Sequence, residues 1–248
     1  MKNTIKSYRL SDNEILLLNN VKDVYLKNGF GYEMLPEIYY CNYDEAKLNF
    51  ELKESEISEE ENYFFNPDFL GSYQYSVSKE GIIILYRDRI LIAAHRIYSK
   101  NFQKFQNEDE VIILLKAKVL IHEIGHWLTH YCSLINKHDI MNNFMFLPKI
   151  IIESMAQLTV LWSFKNHTTE FEYKLDNFCR VFMPLQPYPY YEFKKISHIH
   201  SPEIIIKRYW GITSLPTHLN GDVLFEKLSK KEDKLTDLDK VILAGNTI

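Results

Sequence analysis

Two histidines and a glutamate, His122, Glu123 and His126, interrupt the otherwise apolar run VLIHEIGHWLTHYC at residues 119–132. Titratable groups inside such a run are costly to bury unless each finds a partner or an ion. His122 and His126 are four residues apart, so on a helix their side chains project from one face on successive turns. Both imidazoles can then reach one ion with metal–nitrogen bonds of about 2.0–2.1 Å. Glu123, next to the first histidine, is placed to reach a water at the ion and to act as its base. His130 lies four residues further on, on the same face. Helix rise puts it about 6 Å farther along the axis, better suited to a substrate or supporting contact than to the ion itself.

The residues around this group predict a long helix over NEDEVIILLKAKVLIHEIGHWLTHY, with acidic residues in the first turn where the helix dipole favours them. A second buried helix is expected after Pro148, in KIIIESMAQLTVLWSF, and a third over EFEYKLDNFCRVF. Upstream, Ser11 and Asp12 offer N-caps for NEILLLNNVKDVYLK, which Asn28-Gly29 would stop. YQYSV and GIIILY flank SKE and read as a β-hairpin with Gly81 near the turn. Asp88 could cap a helix through RILIAAHRIYS. The acidic stretch ELKESEISEEEN reads as a solvated loop or short helix. MPLQPYPYYEF breaks the helical pattern with three prolines, and Ser201-Pro202-Glu203 restarts it. The expectation is one α+β domain. Residues 1–70 form an N-terminal elaboration packed on it, and residues 71–248 form the main body with a helical C-terminal half.

Composition narrows the function. Of 248 residues, 46% are hydrophobic and 25% charged, as expected of a soluble globular chain. A net charge of −4 supplies no basic footprint, so a nucleic-acid partner is not expected. No apolar run approaches the roughly 20 residues that span a bilayer, and the longest, VIILLKAKVLI, carries two lysines. The N-terminus lacks the pattern of a secretory signal. Cys41, Cys132 and Cys179 are odd in number and far apart, which is no disulfide framework. A cytoplasmic setting is expected, with no membrane partner.

The stretch VLIHEIGHWL resembles the H-E-x-x-H signature of the zincin metallopeptidases, over a region of about residues 81–160. Gly125 inside the motif costs a helix about 1 kcal/mol against alanine, which the close approach of a neighbouring strand would explain. The metzincin branch is excluded, because Thr129 stands where its glycine belongs and Cys132 where its last histidine belongs. The resemblance is therefore to the gluzincin branch. It implies a small mixed or antiparallel sheet under the active-site helix, one zinc ion per chain, and a glutamate on a later helix as third ligand.

Glu153 fits that implication. It is the only acid in LPKIIIESMAQLTVLW, where an unpaired carboxylate would be expensive unless an ion or a buried Lys or Arg met it. Gln157, one turn later, stands where the family places an acidic partner that accepts the other ring N–H of a ligand histidine. The resemblance further implies peptide hydrolysis, with Glu123 as general base and the ion polarising the scissile carbonyl. A transition-state donor is sought in PYPYYEFKKISHIHS, among Tyr188, Tyr190, Tyr191, His198 and His200, with Arg208 beyond. GIIILY is the candidate edge strand for an extended peptide or protein substrate, although its unbroken hydrophobicity equally suits a central strand. The rival readings are a protease specialised for one protein, regulatory or toxin-like, and a non-catalytic protein that keeps its zinc for structure.

Overall fold

The computed structural model describes residues 5–27, 35–50, 52, 66–76, 79–135, 149–190, 192–194, 201 and 204–206. The Asn28-Gly29 stop and the body of the acidic stretch lie outside the described residues, as do Tyr191, His198, His200 and Arg208.

Helix α1 (Asp12–Lys27) begins at a capping box. Ser11 donates its N–H and its hydroxyl to Glu14 Oε2, both at 2.8 Å, and Glu14 N–H returns to Ser11 Oγ at 3.4 Å. Strand β1 (Glu37–Cys41) and helix α2 (Tyr43–Phe50) follow. A single turn, α3 (Pro67–Leu70), is capped by Asn66 and runs directly into β2 (Gly71–Ser76). Strand β3 (Lys79–Tyr86) leads into α4 (Arg87–Asn101). Asp88 does not cap α4. Its Oδ1 accepts the Tyr43 N–H at 3.0 Å, so it caps the start of α2 across the fold.

The sheet order is β1-β3-β2, with β1 parallel and β2 antiparallel to β3. The hairpin expected from YQYSV and GIIILY is therefore present. Gly81 falls within β3, beside a register shift at Gln74/Ser76, rather than in the turn. GIIILY is the central strand, not an edge. Ile83, Ile84 and Leu85 are fully buried because both faces of β3 are covered, which is why its hydrophobicity does not alternate. Strand β1 places the N-terminal segment inside this same sheet.

Helix α5 (Glu108–Ile135) packs against β2 and β3 on one side and against α4, α6 (Lys149–Ser163) and α7 (Glu170–Phe182) elsewhere. Thr169 and Glu172 form a capping box at the start of α7, and a 3-10 turn at Met183–Leu185 ends it. The neighbour that explains Gly125 is a helix, not a strand. A Cβ at this position would meet Ala156 Cα of α6 at 2.6 Å, so only glycine lets α5 and α6 approach this closely. Among the described residues, no helix is long and apolar enough to cross a membrane.

Candidate metal centre

The α5–α6 contact brings the candidate ligands together. His122, Glu123 and His126 project from α5, and Glu153 from α6. Glu153 Oε2 lies 3.2 Å from His122 Nε2 and 3.5 Å from His126 Nε2. One donor atom from each of the three residues lies within 4.8 Å of the other two. A tetrahedral ion with bonds of about 2.0–2.1 Å separates its ligand atoms by roughly 3.3 Å, so the two shorter gaps suit one shared ion. The relative exposures are 0% for His122, 1% for Glu123, 7% for His126 and 4% for Glu153.

Among the described residues, neither ring nitrogen of His122 has a hydrogen-bond partner, nor do His126 Nδ1, Glu123 Oε1 and Glu153 Oε2. Orphaned polar atoms at this depth are costly, and a cation between His122, His126 and Glu153 would remove the share that falls on His122 Nε2 and Glu153 Oε2. The residues therefore fit a metal ion. Two imidazoles and a carboxylate are a donor set that zinc accepts.

The electrostatics point the same way. Burial pushes the Glu123 carboxyl up to about 8 and raises that of Glu153. Burial holds His122 well below its ordinary value, with the Lys118 charge adding to the effect. Burial also presses His126 down, but the Glu153 carboxylate outweighs it and His126 rises to about 9. Metal binding needs the neutral imidazole, so a bound ion would compete with a proton at His126. Gly71, at the start of β2, leaves room beside the base. A Cβ there would stand 3.4 Å from Glu123 Cγ and 2.9 Å from Val119 Cγ1.

His130 is outside the ligand group. Its Nδ1 is 2.7 Å from the Tyr73 hydroxyl on β2, and its ring packs against Tyr75. Gln157 does not take the partner role the resemblance implies. Its Nε2 donates to Gln186 Oε1 at 2.9 Å, while its own Oε1 and the Nδ1 atoms of both histidines stay unbonded among the described residues. Tyr190 is close to the site. Its ring centroid is 6.3 Å from that of His122, and its hydroxyl donates to Asp68 Oδ2 at 2.7 Å. Tyr188 is exposed.

Two further residues belong here that motif reading did not single out, Asp68 and Lys118. Lys118 sits one helical turn before His122, and that i−4 spacing was the available signal. It is fully buried, its Nζ lacks a hydrogen-bond partner among the described residues, and it lies 5.1 Å over the Phe182 ring. Burial lowers its pKa to about 8. Since the folded value lies below the unfolded one, the unfolded chain binds more protons between about pH 8 and 10.5, and stability rises with pH over that window. Lys118→Met is therefore expected to stabilise the ion-free chain below pH 8, by on the order of 3 kcal/mol. The gain is expected to fade towards pH 10. Urea titrations of both chains at a series of pH values check this; equal stability at pH 7 would refute it.

Comparison with protein-family models, curated proteins and solved structures finds no match for this chain.

Proposed function

We propose that the chain is a zinc-dependent metallopeptidase of gluzincin type, built on a zincin-like domain. The observation that carries the reading is Glu123, a buried carboxyl without a hydrogen-bond partner on Oε1 among the described residues, adjacent in the chain to one member of a His–His–Glu group. A structural ion needs no such base and usually closes all four of its positions with protein ligands, whereas three protein donors leave one position open.

His122, His126 and Glu153 would hold the ion, which supplies Lewis acidity toward a carbonyl oxygen and toward water. Glu123 takes the proton from the attacking water and returns one to the leaving amine. Burial raises this carboxyl in the ion-free chain, and a cation at the neighbouring donors would favour its ionised, proton-accepting form. Strand β2 pairs with β3 along one edge and with no described strand along the other. That edge, unpaired among the described strands, and not β3, is where an extended peptide or protein substrate would add by backbone hydrogen bonds. The buried free thiols of Cys41 and Cys179 accord with a reducing, cytoplasmic setting.

The low exposure of the ligands favours a second reading, a protein that keeps a closed ion for structure. Incubating the chain with a mixture of unfolded proteins, and identifying new termini by mass spectrometry, separates the two. Cleavage that a chelator stops and zinc restores is the expected result. A fully ion-loaded chain that cuts nothing would overturn a broad peptidase and leave the structural reading beside a protease specialised for one protein.

A further inference from the structure

We propose that Asp68, Lys149 and Tyr190 form a clasp beside the buried His122–His126–Glu153 group, and that its opening sets how fast an ion reaches and leaves the site. The inference rests on the metal-site reading above and is independent of peptide hydrolysis.

The three residues come from three separate parts of the chain. Asp68 belongs to α3, three residues before Gly71, the residue that borders Glu123. Lys149 opens α6, one turn before the ligand Glu153. Tyr190 follows the 3-10 turn beyond α7. One carboxylate oxygen ties them together. Asp68 Oδ2 accepts from Tyr190 OH at 2.7 Å and from Lys149 Nζ at 2.8 Å, and Lys149 Nζ lies 5.4 Å from the Tyr190 ring centroid. The clasp thus joins the turn that leads into β2 to the start of the helix that carries Glu153.

Exposure falls inward through this arrangement. The side chains of Lys149 and Asp68 are 57% and 44% exposed, while Tyr190 is 1% exposed, with its ring beside His122. The ion pair is a surface feature, and Tyr190 lies beneath it, against the ligands. An exposed pair of this kind is weak and screened by salt, so it can part without unfolding the chain. Tyr190 OH and Lys149 Nζ share Asp68 Oδ2, so loss of that carboxylate removes both hydrogen bonds.

The test uses the full chain loaded with zinc or cobalt. Release into excess colorimetric chelator is followed by stopped flow, and affinity is measured separately by competition. Wild type is compared with Asp68→Asn and with Lys149→Met, whose exposed site spares the fold. Both variants are expected to release the ion about tenfold faster with an affinity nearly unchanged, because a gate alters the rates in both directions together. Raising salt from about 0.05 to 0.5 M is expected to speed release from wild type but not from Asp68→Asn. Unchanged release rates would overturn the clasp. So would release accelerated only as far as affinity is lost, which is the mark of a charge acting on the ion. A wild-type chain that retains no ion would overturn the clasp and the metal site together.

Discussion

Glu153→Ala is expected to bring the ion bound per chain, by elemental analysis after zinc-replete purification, from about one to near none. The carboxylate contributes the one oxygen close to both imidazoles, at 3.2 and 3.5 Å, and without it the ion keeps two protein ligands. Losing a mere supporting partner of a ligand typically costs about 10–100-fold in affinity, and losing the ligand itself costs more. The ion-free variant is expected to remain folded. Glu153 is a buried carboxyl that burial already disfavours in its charged form, and its removal also takes away the carboxylate that shifts His126 upward. Thermal stability then separates binding from folding. Zinc at 100 times its dissociation constant is expected to stabilise wild type by about 2.7 kcal/mol and to leave Glu153→Ala unmoved. Full zinc retention by the variant would remove Glu153 from the ligand set.

How much of this site could be read from the chain depends on how local each signal is. His122, Glu123 and His126 announce themselves because helical spacing alone places them, and α5 forms where the apolar period and the acidic first turn predict it. Glu153 is legible for a different reason. It is a lone carboxylate in an otherwise apolar helix, and burial makes such a group demand a partner. Gln157 is on the right helix at the right turn, yet its amide points to Gln186, and rotamer choice is set by neighbours the local pattern does not reveal. Gly125 signals a close approach without saying to what, and the answer is Ala156. GIIILY could be an edge or a centre, since both are apolar runs, and only the pairing of β1 with its far side decides. Asp68 carries no local signal at all. Its place above the site follows from contacts with Lys149 and Tyr190, 81 and 122 residues away along the chain.

Glu123→Gln carries the sharpest consequence for mechanism, because it changes the base without changing the ligand group. The amide keeps the volume beneath Gly71 and Val119, where little else would fit, and Glu123 is not among the three converging donors. Zinc content is therefore expected to match wild type. A neutral amide cannot accept the proton of the attacking water, and loss of a positioned general base costs about 10²–10⁴-fold in rate. That is roughly 3–5 kcal/mol of barrier. The loss is expected in kcat, with KM nearly unmoved, since the interaction is made only as the proton transfers. The ion-free variant is expected to be at least as stable as wild type, because burial penalises the ionised carboxylate it replaces. A folded, zinc-loaded Glu123→Gln chain that cleaves as fast as wild type would remove the base from the mechanism. A variant that loses its zinc would instead make Glu123 part of the ion's own binding set, leaving the third position of the site to be assigned again.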